Sequence, residues 1–380
     1  MLQYQLSYWE QETFLKNTDV AIIGSGIVGL SAAISLKEQA PKLKVVVLER
    51  GPLPIGASTR NAGFACFGSL SELLDDLQHS TLDEVLQLVE QRYRGLQRLR
   101  QRYSDQAIGY EGLGGYEVFR KEDQERFEHC VEQLPQINQA LGSLIGAATY
   151  SITDEQLAGT GMAGVEHLIL NQAEGQLHTG KLMQTLLQRA QELGVLCLCG
   201  VEVQQLTEGG NTALLSTNYG WELQTKRVLI ATNGFAKQLL PELEVQPARN
   251  QVLITSPIPA LKIRGCFHYD RGYVYFRNVG ERLLLGGGRN LDPKAETTAA
   301  FGHTEPIQGY LTDLLQEVIL PNETYSIERW WSGIMGVGER KQPIIRPVGS
   351  NVVVAVRLGG MGVALGTEAG EQAAQLLVEA

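Results

Sequence analysis

Apolar residues alternate with turn residues in a definite order near the start of the chain. The run Asp19-Val-Ala-Ile-Ile23 leads into Gly24-Ser-Gly-Ile-Val-Gly29, then an alanine-rich stretch with helical spacing to Gln39, then Lys44-Val-Val-Val-Leu48. Short continuous apolar runs bounded by turn residues predict buried strands, and the three- and four-residue spacing between them predicts a helix. Together they form a βαβ unit of about thirty residues.

Further along, Leu82, Val85, Leu86, Val89, Tyr93 and Leu96 mark one face of a long helix predicted from Leu70 to about Arg102. The spacing predicts strands over 108–120 around Gly112, Gly114 and Gly115, and helices over 124–144 and 178–193. Short strands are expected at 195–199, 201–206, 213–217 and 221–225, the last running on into Lys226-Arg-Val-Leu-Ile-Ala-Thr232. Longer strands follow at 251–255, 273–277, 283–287 and 325–335, with one helix near 307–319. A buried run at 352–356 then meets Gly359-Gly-Met-Gly362 and a last helix through Leu377. No internal repeat interrupts this order.

Composition narrows the class. The 380 residues suggest two or three domains, or two interleaved lobes, and the 43% hydrophobic and 19% charged fractions fit a globular chain and exclude collagen-like, coiled-coil and disordered readings. Thirty-two basic against 42 acidic residues give a net charge of −10, which argues against broad capture of nucleic acid or anionic lipid. The longest apolar stretch, Val20 to Leu36, is broken by Gly24, Gly26 and Gly29, so no membrane span is expected. The first seventeen residues have no secretory-signal layout, and five scattered cysteines suit reduced thiols in a cytoplasm. Cys197 and Cys199 read as buried strand packing, and no spacing suggests a metal site.

The chemistry starts at the glycine turn. It follows a strand, opens a helix and has Glu49 twenty positions after Gly29, the arrangement that binds a dinucleotide. Gly24 permits the tight turn, Gly26 lets the backbone approach a pyrophosphate, and Gly29 lets helix and strand pack closely, while Glu49 accepts hydrogen bonds from the ribose. The second cluster, Gly359, Gly360, Met361 and Gly362, again joins a β-run to a helix start. Its amides and helix dipole suit the negative charge near N1 of a reduced flavin.

These motifs, with Val47-Leu-Glu-Arg50, Gly56-Ala-Ser-Thr-Arg-Asn-Ala-Gly-Phe64, Gly175-Gln-Leu-His-Thr179 and Val228-Leu-Ile-Ala-Thr-Asn-Gly234, occur in an order that resembles the FAD-dependent oxidases of the D-amino-acid oxidase type. That family includes glycine, sarcosine and gamma-glutamylputrescine oxidases, and the resemblance runs over nearly the whole chain. It implies an α/β fold in which a Rossmann-type FAD-binding lobe (1–75, 165–245 and 341–380) is interleaved with a β-sheet-plus-helices substrate lobe (76–164 and 246–340). It implies non-covalent FAD on Gly24, Ser25, Gly26, Ile27, Val28 and Gly29, with Glu49 at the ribose and Arg50 beside the adenine. Val203 matches the adenine-recognising strand, and Ala231, Thr232, Asn233 and Gly234 match a turn passing close to the dinucleotide. Ser58, Thr59, Arg60, Asn61, Ala62 and Gly63 match the segment against the isoalloxazine.

The family chemistry is hydride removal from the carbon next to an amine, giving an imine, with reoxidation by O2 to H2O2. Positioning does most of that work, so no acid or base is assigned from the sequence. The resemblance implies a carboxylate-binding arginine just after a tryptophan-containing strand, as in amino-acid-oxidising relatives, yet Trp330-Trp-Ser-Gly-Ile-Met-Gly336 places Met335 there. Arg249, Arg277 and Arg289 are the candidate replacements, Tyr273, Tyr275 and Trp331 the candidate walls, and Arg60 a further pocket candidate. His178 reads as a helix-start residue and Cys66 as packing. The substrate expected is a small amine or amino acid. A quinone- or protein-linked dehydrogenase, a tRNA-modifying flavoprotein and a non-catalytic flavin-binding protein are the competing classes, and the sequence leaves the oligomeric state open.

Overall fold

Thr18–Ile23 sits in the middle of a sheet, parallel to Val45–Glu49 on one side and to Glu222–Ile230 on the other. The computed structural model describes residues 4–146 and 148–379; Met1–Gln3, Ala147 and Ala380, which the lobe assignment includes, lie outside them. Leu196–Cys199 extends the parallel sheet beyond Val45–Glu49, and Val352–Val356 extends it beyond Glu222–Ile230. Ile344–Pro347 closes that edge antiparallel, and the hairpin Val203–Gly209 and Thr212–Thr217 hangs from Glu222–Ile230.

Parallel strands buried on both faces need no polar alternation, and Val45–Glu49 and Val352–Val356 are buried at every position. Helix Ile27–Gln39 covers the sheet and is itself covered by helix Gly362–Glu379, so it is buried continuously from Ile27 to Lys37. The approach is close enough to require glycine: a Cβ on Gly370 would stand 2.5 Å from the Val28 carbonyl oxygen.

The second sheet runs Ile327–Val337, Gln246–Thr255, Arg282–Gly287, Val274–Val279, Cys266–Tyr269, Gly115–Arg120, Val165–Asn171 and Tyr150–Ile152. Its pairs are antiparallel except Cys266–Tyr269 beside Gly115–Arg120. A small ribbon, Phe64–Ala65 with Gly175–Gln176, lies outside both sheets.

Several boundaries differ from the expected ones for local reasons. The helix expected over 70–102 is two helices, Leu70–Asp76 and Leu82–Tyr103, because Thr81 starts a new one: its Oγ1 accepts from the Glu84 N–H while the Glu84 carboxylate accepts from the Thr81 N–H. Extended chain begins only at Gly115, since Gly109 and Gly114 take left-handed φ values of 61° and 81°. Val165–Asn171 belongs to the second sheet, so the chain enters the first sheet later than residue 165. Cys199 is exposed rather than packed inside, being the last residue of its strand, while Cys197 is half-buried. Among the described residues no helix is long and apolar enough to cross a membrane.

Candidate functional site

Three turns from the first sheet converge on one cavity of about 400 Å³ that continues to the face of the second sheet. The first is the glycine turn. Gly24 has φ 105°, and its N–H donates to the Leu48 carbonyl across the strand ends. A Cβ on Gly29 would stand 2.0 Å from the Gly24 carbonyl oxygen, so only glycine lets the helix start this close. The first-turn amides of Ile27–Gln39 have no partners within the helix; the Ile27 N–H donates to Ser58 Oγ at 2.9 Å. Glu49 is 7% exposed and lines the cavity. Its Oε2 accepts from the Ser25 amide and hydroxyl at 3.2 and 2.8 Å, and its Oε1 from the Gly51 amide at 3.0 Å.

The second turn follows Glu222–Ile230. Asn233 takes φ 46° and its Oδ1 accepts from the Arg357 and Leu358 amides, tying this turn to the end of Val352–Val356. Thr232 Oγ1, in the cavity wall, is buried with no partner among the described residues. The third turn is Gly359 and Gly360, with φ 57° and 87°, which feeds Met361 and the N-terminus of Gly362–Glu379 into the cavity. Two helix starts therefore face one space, with an orphaned hydroxyl between them. That is a cradle for a large anionic ligand with hydrogen-bonding edges.

Of the expected cofactor residues, Gly24, Gly26, Ile27, Val28, Glu49, Arg50, Ser58, Arg60, Asn61, Ala62, Val203, Ala231, Thr232, Asn233, Gly359, Gly360, Met361 and Gly362 line the cavity. Ser25 faces Glu49, Gly29 packs on Gly24, and Gly234 packs on the Met335 carbonyl. The Thr59 hydroxyl donates to the Pro54 carbonyl, and the Gly63 N–H donates to Asn61 Oδ1. Arg50 lies over the Phe235 ring at 3.8 Å.

The arginine candidates separate clearly. Arg249 is buried in a two-point pair with Glu296, Nε at 2.9 Å and Nη2 at 2.8 Å, and stays out of the cavity. Arg277, 6% exposed, donates to the Leu177 carbonyl at 3.0 Å and stays out too. Trp331 donates its indole N–H to the Arg60 carbonyl rather than walling the pocket. Arg60 lines the cavity, but its guanidinium is taken by the Ile55 and Ser332 carbonyls and the Phe301 ring. Arg289 lines the cavity half-buried, 5.2 Å from the Tyr273 ring centre, with no acidic partner among the described residues.

Tyr273, Tyr275 and Met335 line the same end. Burial pushes the Tyr275 phenol well up, so it stays protonated. Met335 Sδ accepts from Asn250 Nδ2 at 3.6 Å, and Asn250 Oδ1 is buried without a partner among the described residues. His178 caps helix Thr179–Glu192, its Nδ1 accepting from the Lys181 amide, as a helix-start residue should. Burial pushes the Cys66 thiol up, which keeps it an inert packing group.

Sequence reasoning missed Asn250, Phe64, His268, Glu72 and Lys341 in the cavity wall. Only Phe64 carried a signal, as the next residue after Gly63. Lys341 reaches across to Glu72 and Asp76 at 3.1 and 2.6 Å, a pairing that local pattern does not announce.

The model of the FAD dependent oxidoreductase family called DAO matches residues 19–376. The chain belongs to that family. Its cofactor is FAD, which suits the cradle described above. Over 379 residues it is 26% identical to a probable oxidoreductase, OrdL, of Rhizobium meliloti (strain 1021), covering 95% of this chain and 83% of that protein. The fold matches glycine oxidase from Geobacillus kaustophilus with a TM-score of 0.76 at 19% identity, over 95% of this chain and 94% of that one. It matches L-proline dehydrogenase from P. horikoshii with a TM-score of 0.74 at 18% identity, over 96% and 94%.

Proposed function

We propose that this oxidoreductase oxidises the CH–N bond of an amino acid and returns the electrons to O2 as H2O2. The observation that carries the reading is Arg289: the arginine at the second-sheet end of the cavity that no acidic side chain neutralises, set on an aromatic wall. A carboxylate is the group such a cation selects, by charge and by its fork of donors.

FAD, when bound, accepts the hydride from the carbon next to nitrogen. The protein would hold it without a covalent link, with Gly24–Gly29 and the first-turn amides at the pyrophosphate, Glu49 at the ribose and Arg50 and Val203 at the adenine. Asn61, Ala62 and the Gly359–Gly362 turn would hold the rest. Glu49, which already accepts from Ser25 and Gly51, would accept from the ribose as well. Arg289 anchors the substrate carboxylate, Tyr273 and Tyr275 shape the apolar walls, and the unpartnered Asn250 Oδ1 accepts an amine hydrogen. Burying the ammonium group favours its neutral form, the one that gives up hydride. Free thiols suit work in the cytoplasm.

The test is an anaerobic titration of the yellow protein with D- and L-amino acids, N-methyl amino acids and polyamine conjugates, following loss of the oxidised-flavin band. Bleaching by a carboxylate-bearing amine, with one peroxide per turnover in air, is the expected result. Bleaching by dithionite alone overturns the amine assignment, and turnover without peroxide points to another acceptor.

A further inference from the structure

Below the amine end of the cavity lies a cluster of titratable groups that the reading above leaves idle. His268, on Cys266–Tyr269, lines the cavity and is only 7% exposed. Its ring meets the edge of Phe64 at 5.1 Å, and its register partners are Glu117 and Tyr275.

Behind the imidazole stands Glu174, 1% exposed. Its Oε1 accepts from the Phe67 and Gly68 amides at 2.8 and 3.1 Å, which fixes the carboxylate. Its Oε2 lies 3.5 Å from His268 Nε2, and neither atom has another partner among the described residues. A Cβ on Gly115 would stand 2.0 Å from that oxygen, so the neighbouring strand leaves the carboxylate no room for a side chain there. Two orphaned groups of opposite character, both buried and aimed at each other, form an oriented carboxylate–imidazole pair.

The charges around His268 are mostly negative. Glu117 lies beneath it, held by Ser69 and Ser71, and Glu72 lies farther along. The nearby cations Arg92 and Lys341 both pair with Glu72, and Arg271 at the cavity rim pairs with Asp75 and Asp270. Cys66 and Tyr275 stay protonated, their groups pushed up by burial. Burial by itself drives the imidazole pKa down, but Glu174, then Glu117 and Glu72, outweigh it and raise it above the ordinary histidine value. The ring therefore holds a positive charge to higher pH than a free histidine does.

We propose that His268, held by Glu174, is the cation that makes the reduced enzyme react rapidly with dioxygen. The inference rests on the reading that O2 is the acceptor. Dioxygen takes two electrons and one proton from the reduced flavin and a second proton from solvent, leaving oxidised flavin and hydrogen peroxide. The first electron puts a negative charge on dioxygen. A fixed positive charge in a cavity screened from water stabilises that charge without rearranging. His268 shares the cavity with Ala62 and Met361, in the two segments the resemblance sets at the flavin ring, so the charge stands in the space open to dioxygen beside them.

The experiment needs no substrate. The holoenzyme is reduced by light and mixed with oxygenated buffer across a pH series, and the midpoint potential of the bound FAD is measured alongside. For the wild type the second-order rate constant should be highest at low pH and fall as pH rises through the His268 ionisation. His268→Gln should lower it roughly 100-fold and remove that fall. The same variant should lower the FAD midpoint potential, a shift that a purely structural role would not produce. Glu174→Gln should move the falling limb to lower pH. A His268→Gln protein with normal FAD content, an unchanged rate and an unchanged pH profile overturns the proposal. If that variant fails to retain FAD, the wild-type pH profile and Glu174→Gln decide: a fast, pH-independent rate overturns this inference alone. A wild type that reacts slowly with oxygen at every pH overturns the oxidase reading and this inference with it.

Discussion

Arg249 and Arg289 look interchangeable in the sequence, and the structure assigns them opposite energetics. Arg249→Met removes both hydrogen bonds from the guanidinium to Glu296, at 2.9 and 2.8 Å. It leaves a carboxylate that is 2% exposed with, among the described residues, only Gln251 Nε2 at 3.0 Å and Thr304 Oγ1 at 3.3 Å. Breaking a buried pair from one side costs about 3–5 kcal/mol, and the two remaining donors hold the loss to about 3 kcal/mol. Arg289→Met breaks no ion pair among the described residues and gives up only its stacking on Tyr273, about 0.5–1 kcal/mol. Urea denaturation of the two holoenzymes should therefore separate them by about 2 kcal/mol. Adding Glu296→Gln to Arg249→Met should recover part of the loss. Benzoate, titrated against the flavin spectrum, should bind about 10–100-fold more weakly to Arg289→Met and unchanged to Arg249→Met, since a charged hydrogen-bonded contact contributes about 1.5–3 kcal/mol. An Arg249→Met protein as stable as the wild type that has lost benzoate binding would refute the reasoning.

Two other outcomes follow from packing and charge. Gly29→Ala puts a Cβ 2.0 Å from the Gly24 oxygen, where real contacts stay above 3.0 Å, so the helix start must move and FAD should be lost on gel filtration; full retention contradicts the phosphate cradle. Burial pushes the Glu72 carboxyl up, but Lys341 and Arg92 outweigh it and hold it below the usual value. A depressed carboxylate stabilises the fold above its unfolded pKa of about 4.3 and loses that contribution as pH falls through the lower folded value. Lys341→Met should thus raise the acid-unfolding midpoint seen by tryptophan fluorescence, and an unmoved midpoint would remove Lys341 as the cause.

How much of this was legible beforehand depends on distance along the chain. The βαβ unit, both glycine turns and Glu49 are local patterns, and strand, turn and helix appear where the apolar periods place them. The helix break at Thr81 was readable in principle from Thr81 and Glu84, but the apolar period continues through it and hides the cap. Which arginine is free was not legible, because Glu296 lies 47 residues from Arg249 and the Leu177 carbonyl 100 residues from Arg277. His268 carried no signal on its strand, since its meaning comes from Glu174 in a remote turn.

The order in which the first sheet is assembled has a consequence for biosynthesis. Its first two strands come from residues 18–49, while Val352–Val356 and Gly362–Glu379, which close the cradle and cover Ile27–Gln39, are translated more than 300 residues later. The nucleotide turn therefore emerges from the ribosome with its covering helix still unmade, and the apolar faces of Ile27–Gln39 must wait for it. Such long-range closure is slow and leaves sticky surface exposed in the interval. Cofactor capture should follow synthesis of that helix rather than accompany synthesis of the glycine turn, and the yield of yellow protein in a cell should depend on chaperone supply as much as on the supply of flavin.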